Sequence, residues 1–302
     1  MPAPLRRRLA LFAALSSIVI WAVNYPAMKI AFRELSPLAF TGWRFLLATA
    51  FLLAEALARR ERLVPPHGAR GLALLLALSG VGLYQWLYTL GLASTSSFSA
   101  ALLNSVSPLI AMLLVVLLGW ERLSPLAAAG SLVAWGGVAS FVASARGADF
   151  GNPAGNLMCL GAALCWAVYN LASVRAGRLL SPLGAQVATF AGGTVLVLVY
   201  ALPAMLRQDY ARVGRLTWAI VVFSAVFPLT LAFRLWPEAV RTLGVTQATS
   251  LGFLVPVLAG VASAILTGER FDAQKLLSAA VTLAGLALTR IGRRPRGPAP
   301  AR

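Results

Sequence analysis

This chain is written twice, with the two copies in register. Trp21-Ala22-Val23 is followed by Ser36-Pro37-Leu38 and then Phe45. Trp166-Ala167-Val168 is followed by Ser181-Pro182-Leu183 and then Phe190, each at an offset of 145. Pro108 with Glu121-Arg122 and Pro256 with Glu269-Arg270 continue the match at an offset of 148. One structural unit used twice must solve the same packing problem twice. The polar, glycine-containing stretch 145–153 is the natural join, giving a first repeat at 1–146 and a second at 147–302 with a basic C-terminal tail.

Hydropathy says what each unit is made of. The mean hydropathy is +0.80, and only 12% of residues are charged, against roughly 25% in a soluble domain. Apolar runs occur at about 9–32, 37–58, 70–92, 97–119, 125–144, 154–174, 183–206, 216–240, 244–267 and 273–291. Each is close to the ~20 residues a helix needs to cross hydrocarbon. The runs are continuous rather than alternating, which argues against a strand-built barrel. The expectation is an all-α membrane protein of ten transmembrane helices, five per repeat, with the lipid bilayer as its solvent. Arg6-Arg7-Arg8 before the first run imitates a signal peptide but reads as the start of an uncleaved first span.

Short connections carry turn chemistry. Ser36-Pro37, Ser124-Pro125 and Ser181-Pro182 each place a capping serine before a proline at the first helical position. Asp272 stands ready to cap the last helix. Basic residues sit between the runs. With the N-terminus cytoplasmic, seventeen of the 26 Lys and Arg residues fall on that side and seven on the other; Lys29 and Arg44 lie within spans. This bias puts both termini in the cytoplasm. Five is an odd number, so the second repeat enters the membrane inverted relative to the first.

The net charge of +17 does not point to nucleic acid, because the basic residues form short clusters at run ends instead of one face. Cys159 and Cys165, six apart in one run, do not share a helix face and are not expected to pair. His67 is the only histidine, no metal-ligand spacing occurs, and no nucleophile, base and orienter can be assembled. A phosphate-binding glycine loop is also missing, so no cofactor and no enzyme activity is expected.

The spans carry a recognisable set of motifs. Trp21-Ala22-Val23-Asn24 with Lys29 opens the first, and Trp43-Arg44-Phe45 marks the second. Ser105-Val106-Ser107-Pro108-Leu109 precedes Gly119-Trp120-Glu121-Arg122-Leu123-Ser124. Val255-Pro256-Val257 precedes Thr267-Gly268-Glu269-Arg270. Taken together over nearly the whole chain, these resemble EamA-type members of the drug/metabolite transporter superfamily. The resemblance implies two inverted five-helix halves and secondary transport of small organic metabolites, amino-acid-like or drug-like, often outward across the inner membrane. It leaves the substrate open. The small multidrug exporters, distant relatives in that superfamily, use a carboxylate deep in the first span for proton exchange; here Asn24 stands there instead.

Polar residues at membrane depth tend to face the bundle interior or a wet cavity. Asn24-Tyr25 and Tyr169-Asn170 occupy equivalent repeat positions in swapped order, either as substrate contacts or as interhelical hydrogen bonds. Tyr84 and Tyr88 share a helix face beside Gln85, as a stacking platform or an interfacial belt. Arg234 and Glu238 are four apart around Trp236 and Pro237, where they form a pair on one face or Arg234 snorkels to the interface. Asn104 and Gln247 are further interior polar positions. Pro108, Pro237 and Pro256 are expected hinges. Glu269-Arg270 reads as a structural turn at the interface. Two rival readings remain: a carrier of anions such as phosphorylated sugars, with Lys29, Arg44 and Arg234 as counter-charges, and a non-transporting scaffold or membrane enzyme.

Overall fold

The computed structural model describes residues 3–118, 124–143, 152–243 and 251–292. Among them are ten apolar helices, seven of them long and apolar enough to cross a bilayer and three shorter. The first repeat holds α1 (Ala3–Ala31) and α2 (Pro37–Ala58). Next, α3 runs from Arg70–Ala77 through a π-turn at Leu78–Gly82 into Leu83–Ser94. Then α4 comes in two pieces, Ser97–Asn104 and Ser107–Leu117, followed by α5 (Pro125–Ala143). The second repeat holds α6 (Pro153–Ala176) and α7 (Pro182–Arg207). There α8 runs Arg215–Ser224, a π segment at Ala225–Ala232, then Phe233–Leu243. Last come α9 (Leu254–Thr267) and α10 (Ala273–Ile291).

The helix starts follow the expected chemistry. Ser36, Ser124 and Ser181 accept from the N–H of Ala39, Ala127 and Gly184 at 3.3, 3.1 and 2.9 Å. Asp272 accepts from the Lys275 N–H at 2.7 Å. In each case one orphan donor of a first turn is satisfied.

Repeat symmetry is visible in side-chain pairs. Thr49 and Thr194, 145 residues apart, share a hydrogen bond of 2.7 Å between their hydroxyls. Phe45 and Phe190, related by the same offset, stack with ring centroids 5.6 Å apart. Each residue meets its own counterpart, so the axis relating the repeats passes between α2 and α7. Gly42 at the start of α2 faces Ala201 and Met205 late in α7, while Thr49 meets Thr194 in the middle. The two helices therefore run antiparallel, which is the inversion expected from an odd helix count. The same holds for α5 and α10: Gly137 lies against Thr282, and Gly285 against Ala134.

One expectation is corrected and two features are added by the structure. The helix carrying Pro237 is continuous through Phe233–Leu243, and the distortion of α8 lies instead in the π segment that contains Pro228. A proline removes one backbone donor wherever it sits, but only the π segment widens the helix here. Lys275 is not a surface charge. It is fully buried, bonded to Glu269 at 2.8 Å and held over the rings of Phe98 and Phe271. Glu34, in the turn after α1, reaches the start of α8, accepting from Thr217 Oγ1 at 2.7 Å and the Gly214 N–H at 2.8 Å.

Those bonds, the Thr217 hydroxyl first and the Gly214 amide second, hold the Glu34 carboxyl below its ordinary value of 4.5. A lowered carboxyl adds stability that is fully present above the ordinary value and is lost as pH falls through the lower, folded one. The melting temperature in detergent is expected to fall more steeply below pH 4.5 for the natural chain than for Glu34→Gln. Equal pH slopes for the two proteins would remove Glu34 as a cap of α8.

Candidate functional site

The π-turn in α3 prepares the site. It ends at Gly82, and Tyr84, Gln85 and Tyr88 follow at once, all three buried. Tyr84 and Tyr88 stack nearly parallel, 10° apart with centroids at 5.6 Å. Tyr25 of α1 meets Tyr88 edge-on at 5.6 Å, and Trp166 of α6 lies 5.2 Å from Tyr84. The wider π coil frees carbonyls that need other donors; the Tyr200 hydroxyl reaches Gly82 O at 3.3 Å.

The break in α4 supplies the amide. Pro108 has no N–H to return to Asn104, and the helix stops at Asn104 before resuming at Ser107. Asn104 Nδ2 donates to the hydroxyls of Tyr84 at 2.9 Å and Tyr25 at 3.2 Å. Its Oδ1 is buried with no partner among the described residues. In the second repeat a turn at 252–253 precedes α9, and Pro256 stands in that helix's first turn. Asn24 is buried, donating to the Met28 sulfur at 3.2 Å and accepting from the Ser224 hydroxyl of α8.

The site thus brings together Asn24, Tyr25, Tyr84, Gln85, Tyr88 and Asn104. Tyr169 is a neighbour, stacked on Trp166 at 4.9 Å and packed against Gly80 of the π-turn. Asn170 does not join. It is exposed, because the next residue on a helix turns about 100° away from the face Tyr169 occupies. Both Asn24 and Tyr25 are buried because α1 packs against α3, α4, α8 and α9. Gln247 and the side chains of Pro237 and Glu238 lie outside the described residues.

Arg234 pairs across the bundle. Its guanidinium grips both carboxylate oxygens of Glu55 on α2, Nη1 to Oε1 at 2.8 Å, where Arg59 also binds at 2.9 Å. Beside it Trp236 and Phe233 close on Trp21 of α1, at 5.3 and 6.3 Å. Ala13 and Ala14 pack there with Ala239, Leu235, Trp236, Leu243 and Leu251. This apolar cluster lies at the end of the bundle nearest the N-terminus. The opposite end is open: a vestibule of about 770 Å³ is lined by Lys29, Arg33, the α3–α4 turn at 93–97, and Glu269 and Arg270 after α9.

Sequence reasoning passed over Met28 and underrated Arg44. Arg44 is 1% exposed, and its Nη2 donates to Gln85 Oε1 at 2.5 Å. An arginine inside an apolar run was the available signal.

Ten helices in two inverted copies, with a polar, aromatic cluster among them and a vestibule at one end, define a multi-pass membrane protein. The model of the EamA-like transporter family matches the chain twice, over residues 8–143 and 153–291, and the chain belongs to that family. A probable terminal-alkyne amino-acid exporter of Streptantibioticus cattleyicolor is 29% identical over 97% of this chain and 98% of its own. A probable amino-acid metabolite efflux pump of Salmonella typhimurium is 24% identical over 94% of this chain and 96% of its own. An uncharacterized inner membrane transporter of Escherichia coli K12, YedA, is 27% identical over 95% and 93%. A protein of known crystal structure, 23% identical, shares the fold with a TM-score of 0.63 over 96% of this chain and 100% of that one.

Proposed function

We propose that this protein exports small organic metabolites, amino-acid-like in character, across the inner membrane. It does so by alternating access between its inverted halves, with both termini cytoplasmic. The observation that carries this reading is the cluster of Tyr25, Tyr84, Tyr88, Asn24 and Asn104. Its tyrosines and Asn24 are buried, Tyr25 and Tyr84 share Asn104 as a common donor, and a vestibule opens at one end of the bundle. Asn104 Oδ1, buried with no partner among the described residues, is available to a bound ligand. Substrate binds against the tyrosine faces. The Trp21–Trp236 contact and the Arg234–Glu55 pair form the cytoplasmic gate. Pro108 and Pro256 mark the breaks about which α4 and α9 move. The names of the relatives from Streptantibioticus and Salmonella support an amino-acid-like cargo and outward direction.

The test is flux in proteoliposomes with a metabolite mixture read by mass spectrometry, with and without a pH gradient. Asn104→Ala and Tyr84→Phe are expected to lower flux by about tenfold, the loss of roughly one hydrogen bond to a bound ligand. Folded yield should be unchanged. Normal flux in both variants would place the substrate elsewhere.

A further inference from the structure

Met28 is wholly buried, and three donors end on its thioether sulfur: Asn24 Nδ2 at 3.2 Å, Arg44 Nη1 at 3.2 Å and the Tyr88 hydroxyl at 3.7 Å. A thioether is a weak acceptor, and folded interiors give strong donors better partners than that. Arg44 is in a still less usual position. Its Nε has no partner among the described residues, and the rings of Phe40 and Phe45 flank it at 5.4 Å each. No carboxylate among the described residues pairs with it. Glu34, Glu55 and Glu269 are bonded to Thr217, Arg234 and Lys275 respectively. A buried guanidinium without a counter-charge is costly to keep. Lys29, one residue beyond Met28, lines the vestibule.

We infer that the Met28 sulfur occupies the seat of a substrate carboxylate. Arg44, Asn24 and Tyr88 are its donors, and Gln85 orients the guanidinium. The inference rests on the tyrosine–asparagine cluster being the transport site, and it names what that site selects: small molecules bearing one carboxylate. One guanidinium with two neutral donors balances a single negative charge, not the double charge of a phosphate ester. Met28, unbranched with three rotatable side-chain bonds, yields its place to the incoming oxygen atoms. A carboxylate there gains charge-assisted hydrogen bonds where the sulfur gives weak ones.

The test builds the carboxylate in. Met28→Glu and Met28→Gln have nearly the same shape and differ in charge. In detergent at neutral pH, Met28→Glu is expected to melt at least as high as Met28→Gln, with the order reversed when Arg44→Gln is added. In proteoliposomes Met28→Glu is expected to lose flux by at least about tenfold, because its own carboxylate competes for the donors. If Met28→Glu melts well below Met28→Gln with Arg44 present, the position rejects negative charge and the inference is wrong; this comparison stands even if Arg44→Gln does not fold. The metabolites carried by the natural chain give the second reading. Carboxylates among them support the inference. Asn104-dependent flux of compounds without a carboxylate overturns it and leaves the proposed function standing. If no compound moves, or flux ignores Asn104→Ala, both fall together.

Discussion

Gly285→Val is expected to cost this bundle more stability than any substitution at its candidate site. In α10 the Cα of Gly285 sits against the backbone of Ala134 and the carbonyl of Gly130, both in α5. A side chain there meets main chain, which cannot rotate aside. Gly137 of α5 is in the mirror position against Thr282, so the repeat builds the same contact from both sides. Apolar side chains gain nothing by leaving lipid for one another. Close backbone approach of small residues is what holds such a pair together. Forcing α5 and α10 apart should cost about 3 kcal/mol or more, read as a large drop in melting temperature or loss of monodisperse protein. Gly136, next in the chain to Gly137, is exposed with nothing within 4 Å of an added Cβ. Gly136→Val is the control and should behave like the natural protein. If the two variants melt alike, α5 and α10 do not depend on this contact.

Much of the architecture was legible because it rests on local chemistry. Ser36, Ser124 and Ser181 announce helix starts through one side-chain oxygen each. Pro108 and Pro256 announce breaks through one missing N–H each. The offset between Thr49 and Thr194 required only the duplication; that the two touch required the antiparallel crossing of α2 and α7. What was not legible depends on rotation and on distant partners. A π-turn has no composition of its own, yet the one at Leu78–Gly82 sets which way Tyr84, Gln85 and Tyr88 face. Asn170 looked equivalent to Tyr25 by repeat position, but α6 has an outer surface at that level where α1 is buried throughout residues 24–28. Arg234 had a plausible partner four residues away, and the structure gives it Glu55, 179 residues away. Buried sulfur gives no signal in sequence, so the donors meeting at Met28 could only be seen in space.

In the proposed alternating access, the end of the bundle that holds the Ala13–Ala14–Ala239 cluster opens during each transport cycle. Ala14 of α1 and Ala239 of α8 are both fully buried in that apolar cluster. The proposed export needs α1 and α8 to separate there, so that cargo from the cytoplasm can reach the proposed site at the tyrosines. The native cysteines, Cys159 and Cys165, are free and buried and are first replaced by alanine. Ala14→Cys and Ala239→Cys are then introduced together and joined by a short reducible thiol cross-linker. Flux of the metabolite mixture in proteoliposomes is predicted to fall to that of empty vesicles when the link is made and to return when it is reduced. Flux that continues unchanged with the link intact would contradict alternating access through this end.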